Sequence, residues 1–259
     1  MQKTIGWLSV FALSLGLALA FDRWLYFPIG GDWVIFRAAA LDPLRMYSQQ
    51  YYSVPWLALA LYPLAILPAK VGALVVFALN MTGFLFAFYR LRIPPILCAP
   101  LLWMILHGAI FGNIEGLVIL GLFLPSPLAV FVLLAKPQMT AGVLLYIAWQ
   151  AYHNKHIIAT FAPACIAICA GVLIFGVPGT PINESWNASI FPYGILPGLI
   201  ILWYAITRRN IGAALACGPL FSPYVNSFTG WAALWIGLAC ALTTSGIIKI
   251  GEYNYENII

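Results

Sequence analysis

Charge is what this chain has least of. Charged residues make up 7% of its 259 positions, where an ordinary soluble domain carries about 25%. A water-soluble globular protein is thereby excluded. With 63% hydrophobic residues and a mean hydropathy of +0.96, the chain reads as an integral membrane protein. Backbone that crosses a bilayer must satisfy its own hydrogen bonds, as helices or as a closed barrel. A barrel needs short alternating segments, and none are present; the apolar runs are long and continuous. The expected class is all-α, a multi-span helical bundle.

Other shortages narrow the function. There are 7 acidic residues and 3 histidines, and no group of them has metal-ligand spacing, so no metal or cofactor is expected. The glycine-rich phosphate loop, the G-x-S-x-G elbow and the H-E-x-x-H helix are all missing. The net charge is +5, yet no basic run interleaves with aromatics, so nucleic acid is not an expected partner. In a membrane protein such lysines and arginines set topology. No linker, low-complexity tract or internal repeat breaks the chain. The expectation is one transmembrane domain over 1–259, without the symmetry of inverted-repeat transporters. The five cysteines (Cys98, Cys165, Cys169, Cys217 and Cys240) all lie in apolar runs. Cys165 and Cys169 stand one helical turn apart without an acid or histidine, which predicts buried small hydrophobes and not a metal pair.

What is present is a series of apolar runs. The first, at 5–21, has a positive start and an Ala-Leu-Ala ending at Ala20, which imitates a signal peptide. A retained span is preferred, because many more follow. The later runs cover 55–68, 71–89, 94–110, 117–124, 128–135, 139–152, 157–175, 194–207, 211–221 and 228–248. A crossing takes about 20 residues, so several runs predict short, tilted or broken helices. The expectation is about nine spans, with a range of about eight to eleven helices. Lys155, the Arg208–Arg209 pair and Lys249 read as cytoplasmic. This puts the loop at about 22–54, Lys136, the polar stretch "GTPINESWNAS" and the stretch "SPYVN" on the outer face. Arg90 and Arg92 also read as cytoplasmic, which demands an odd number of crossings after Asp32. Either the 55–68 run is re-entrant or those two arginines lie outside.

Few polar residues stand within this apolar background, and such groups mark function by default. The stretch "FPIGGDWVIFRAAALDP" places Asp32 behind Gly30 and Gly31, ahead of a short helical pattern. Glycine permits a sharp turn there, and the helix N-terminus favours an ionised carboxylate. The simplest local reading pairs Asp32 with Arg37 in a solvated loop; the functional one makes Asp32 a base. Glu115, in "FGNIEGL", reads first as an interfacial residue at a helix start. Lys136 precedes Pro137 between two apolar runs. It either snorkels or meets an anionic group such as a phosphate. His107 reads as a structural histidine, and Asn113 and Asn226 accompany these residues as polar neighbours.

The stretch "GGDWVIFRAAALDPLRMYSQQYYSVPWLALALYPLAILP" resembles the opening signature of family 87 glycosyltransferases. In that pattern an Asp is followed by aromatic and small residues, a Tyr, and a Y-x-P start to a span. Here the matching positions are Asp32, Trp33, Phe36, Ala38, Ala39, Tyr47, Tyr52 and Pro55. "GNIEGLVILGL", "LLAKPQMTAGVLLYI" and "FSPYVNSFTGWAAL" resemble three later motifs of the family, in order. The chain would be a compact member, with Asn113 where the family has Gln. The resemblance implies a type C membrane fold and transfer of a mannose-like sugar from a polyprenyl phosphate. Asp32 would be the catalytic base, and Lys136 and Arg37 would hold the donor phosphate. Tyr47, Tyr52, Asn113, Glu115, Ser222, Tyr224 and Asn226 would line the substrate cavity. The implied partners are a lipid-linked sugar donor, a glycan or glycolipid acceptor, and the bilayer of the cell envelope. Tyr47, Tyr51, Tyr52 and Trp56 would then sit at the membrane interface. The competing reading is a non-catalytic membrane protein, an inactive relative or a structural subunit.

Overall fold

A computed structural model describes residues 2–24, 29–49, 51–177, 187–225 and 231–244. Among them every apolar run of the sequence contains helix and no strand forms. The α-helices are α1 (Gln2–Trp24), α2 (Gly31–Leu41), α3 (Pro55–Ala65), α4 (Ala69–Leu91), α5 (Pro95–Ile110) and α6 (Glu115–Ile119). They continue with α7 (Ser126–Leu133), α8 (Pro137–His153), α9 (Ile157–Phe175), α10 (Ile195–Arg208), α11 (Ile211–Ala216) and α12 (Ala232–Thr244). Short 3-10 stretches occupy Pro43–Gln49, Leu120–Phe123 and Pro219–Phe221.

The described residues form twelve α-helices, one in each apolar run plus α2 in the loop that carries Asp32. Proline stands in the first turn of α3, α7 and α8, where its missing N–H would lack an intrahelical partner anyway. Arg209 ends α10 in the left-handed conformation. Asn210 then caps α11, its side chain accepting the Ala213 N–H at 2.9 Å.

Among the described residues three helices are long and apolar enough to cross a membrane: Gly6–Arg23 within α1, and the whole of α4 and α9. A fourth crossing exists if Leu102–Ile110 and Glu115–Phe123, bent by 116°, count as one broken span. The chain is therefore a helical membrane protein with short and broken helices.

The chain divides into two compact units. The first comprises Met1–Phe86, Ile105–Ile119 and Cys165–Ile182. Trp33, Tyr51, Phe77, Phe84 and Ile114 are its large, fully buried side chains. Asp22 near the end of α1 pairs with Lys70 in the first turn of α4 at 2.8 Å, and Trp7 meets Phe86 edge-on at 5.0 Å. The second unit comprises Ala87–Met104, Leu120–Ala164 and Asn183–Ile259. There α11 packs against α8, α10 and α12. A Cβ on Gly142 would collide with the Ala214 carbonyl, and one on Gly218 with that of Met139. Lipid tails are as apolar as leucine, so close contact of this kind, more than water exclusion, holds membrane helices together.

The cysteine expectation needs correction. Cys217 and Cys240 are buried, but Cys165 and Cys169 are exposed on α9 and Cys98 is half-buried. An apolar run that faces lipid places a thiol outward as readily as inward.

Candidate functional site

In the first unit, the Asp32 stretch and the Asn113–Glu115 stretch meet through backbone. α5 ends in a turn with two hydrogen bonds, Gly112 N–H to the Ala109 carbonyl at 3.0 Å and Asn113 N–H to the Gly108 carbonyl at 2.9 Å. Gly112 takes φ 74 there, the left-handed position at which such helix ends favour glycine. The carbonyls of Ile110 and Phe111 are left over. They accept the N–H of Gly30 at 2.7 Å and of Asp32 at 2.6 Å. Both sets of groups lack partners inside their own helices, so the start of α2 and the end of α5 satisfy each other. Gly30, at φ 96, makes the approach possible. A Cβ on Gly112 would lie 2.8 Å from the Trp33 Cβ. Trp33 in turn is 1% exposed and donates its indole N–H to the Ala69 carbonyl at 3.2 Å.

Asp32 is half-buried in the first turn of α2, where the helix dipole stabilises a carboxylate. Arg37, expected on the simplest reading to pair with it, reaches the Leu67 carbonyl at 3.5 Å instead. Its Nε is buried without a hydrogen-bond partner among the described residues. Glu115 begins α6, the helix start expected of it, and is buried against protein, 3% exposed. Asn113 is also buried and accepts the Ile114 N–H at 3.2 Å. His107 stacks on Phe111 with ring centroids 4.5 Å apart and lies within electrostatic reach of Glu115.

The aromatic cluster departs from the interfacial expectation at one ring. Tyr52 is exposed, and Tyr47 and Trp56 are half-buried. Tyr51 is enclosed, 1% exposed, edge-on to Phe36 at 5.9 Å, with its hydroxyl donating to the Val54 carbonyl at 2.8 Å. Burial pushes the Tyr51 phenol well above its ordinary range and raises that of Tyr47. Both remain neutral hydroxyls.

The remaining predicted residues belong to the second unit. Lys136 is half-buried and caps α8, with Pro137 as the first helical residue. Thr140 closes this start locally, its hydroxyl donating to the carbonyls of Leu133 at 2.6 Å and Lys136 at 3.0 Å. Ser222 donates to the Tyr224 carbonyl at 2.6 Å. Asn187 gathers the stretch, donating to the Pro223 carbonyl and accepting the Val225 N–H, each at 3.0 Å. Asn226, Lys249 and the polar stretch through residue 186 lie outside the described residues.

Sequence reasoning missed Asn80, Thr140 and Asn187. The signal for Asn80 was available, a lone carboxamide in the middle of an apolar run. Among the described residues no three of His, Cys, Asp and Glu gather as metal ligands would. No protein-family model, curated protein or solved structure matches the chain.

Proposed function

We propose that this chain is a multi-pass membrane glycosyltransferase of the type C kind. It moves a mannose-like sugar from a polyprenyl phosphate to a hydroxyl of a glycan or glycolipid on the non-cytoplasmic face. One observation carries the reading: a half-buried carboxylate, Asp32, at a helix start built against the turn that bears Asn113 and Glu115. A polar group set in an apolar background is costly and points to chemistry, and here one such stretch supports the backbone of the other.

In the transfer, the acceptor oxygen attacks the anomeric carbon as Asp32 takes its proton. The bond from that carbon to the phosphate oxygen breaks, and the polyprenyl phosphate leaves with the electron pair. Its departing anion needs no second acid; it needs a cation, and Lys136 or Arg37 supplies it. The Arg37 Nε, buried and without a hydrogen-bond partner among the described residues, supports Arg37 in that role. Tyr47, Tyr52, Asn113 and Glu115, all of the first unit, face the substrate in this reading.

The test is a transfer assay on the chain in lipid nanodiscs, with a labelled polyprenyl-phosphate sugar and a panel of glycan and glycolipid acceptors. Asp32→Asn keeps donor binding and loses transfer, while Asp22→Asn and Asp42→Asn stay close to the parent. Transfer by Asp32→Asn at the parent rate overturns the mechanism. A parent that transfers nothing to any acceptor leaves a non-catalytic membrane protein.

A further inference from the structure

Asn80 stands in the middle of α4, 0% exposed. Its Oδ1 accepts the Gly116 N–H at 2.5 Å, across 36 positions of the chain. Gly116 is the second residue of α6, where an amide has no acceptor inside its own helix. A side chain of α4 thus does the capping. The two backbones lie very close. A Cβ on Gly83, one turn along α4, would collide with the Gly116 carbonyl, and a Cβ on Gly116 would collide with that of Asn80. The Asn80 Nδ2 is buried and lacks a hydrogen-bond partner among the described residues. An apolar side chain of the same size would avoid that cost, so what Asn80 contributes is its oxygen.

On its other side the same break supplies the Phe111 carbonyl that holds the Asp32 amide at 2.6 Å. Between these two attachments the chain is stiffened by the Gly112 and Asn113 hydrogen bonds that close α5. We infer that Asn80 is a positioning residue for Asp32, acting through the break between α5 and α6. It touches neither donor nor acceptor. Its link to the rate of transfer rests on the proposed role of Asp32, whereas its link to the Asp32 backbone does not.

The experiment follows amide hydrogen exchange of the full chain in nanodiscs, over residues 29–36 and 112–118, with transfer kinetics alongside. Asn80→Leu removes the acceptor at similar size, while Asn80→Asp keeps an acceptor oxygen at the same reach. In Asn80→Leu both segments exchange about tenfold faster, the effect of one lost hydrogen bond, and Asn80→Asp stays close to the parent. In the transfer assay Asn80→Leu lowers kcat at least about tenfold with the donor KM nearly unchanged, as for an interaction realised in the transition state. Asn80→Asp restores kcat. If Asn80→Leu does not fold, Asn80→Ser, smaller and with a shorter reach, is held to the same expectation. Faster exchange at 112–118 alone, or equal exchange in the Asp and Leu variants, overturns the inference. So does parent-like kcat in Asn80→Leu when transfer depends on Asp32. If the parent transfers no sugar but both segments respond together, the positioning of Asp32 stands and the proposed reaction falls.

Discussion

The starts of α2 and α8 each lie beside a charged residue, and the charges have opposite signs. α2 carries Asp32 in its first turn, and α8 carries Lys136 as its cap. The positive end of the helix dipole favours the first arrangement and disfavours the second, by about 0.3–1 kcal/mol each at an exposed site. Their construction differs as well. The start of α2 is held by carbonyls of a segment nearly eighty residues away, Ile110 and Phe111. The start of α8 is closed locally by Pro137 and Thr140. A disturbance of the α5–α6 break therefore reaches Asp32, whereas Lys136 depends mainly on its own neighbours.

The largest expected effect lies at the first of these starts. Asp32→Asn lowers transfer by about 10²–10⁴-fold, the ordinary worth of a general base, in the assay described above. At the second, Lys136→Gln raises the donor KM by about tenfold or more, the loss of a charge-assisted hydrogen bond. The same substitution raises thermal stability slightly, because it relieves the clash with the dipole. Donor titration and a thermal melt read the two signs separately. A melt that falls would contradict the dipole argument.

Smaller effects test how each start is built. Gly112→Ala forces a non-glycine residue to φ 74 and brings its Cβ against Trp33. The expected loss is roughly 1–3 kcal/mol, with faster exchange at 29–36. Thr140→Val removes the one hydroxyl hydrogen shared between the Leu133 and Lys136 carbonyls and costs about 1 kcal/mol. Exchange at 29–36 stays unchanged, and a rise there would break the contrast between tertiary and local support. Lys70→Met, which removes the ion pair with Asp22, costs about 1 kcal/mol at most. The Lys70 side chain is 70% exposed, and solvent screens the pair.

Much of the architecture could be read from hydrophobic runs. The run at 157–175 is α9 residue for residue, and the one at 94–110 is α5 less its first residue. Where expectation failed, the cause was direction. Glu115 was correctly placed at a helix start, yet it is buried; it follows a 116° break, and no local pattern encodes which way such a break turns. Tyr51 lies in the anticipated aromatic stretch, but Phe36 and the Val54 carbonyl enclose it. Cys165 and Cys169 were expected inside and are exposed, since an apolar run has no polar face to show which side meets protein.

By itself the sequence determined that this is a helical membrane protein with interrupted helices. Scarce charge and long apolar runs leave the backbone no other way to satisfy its hydrogen bonds. It also determined which residues break that pattern, because each charge in an apolar run is visible one position at a time. Only the tertiary structure decided what those residues do for one another. The Asp32 amide rests on Phe111, and Asn80 caps Gly116 from 36 positions away. These links join backbone groups left over at helix ends. Which leftover donor meets which acceptor depends on how helices pack, and side-chain periodicity carries no record of it.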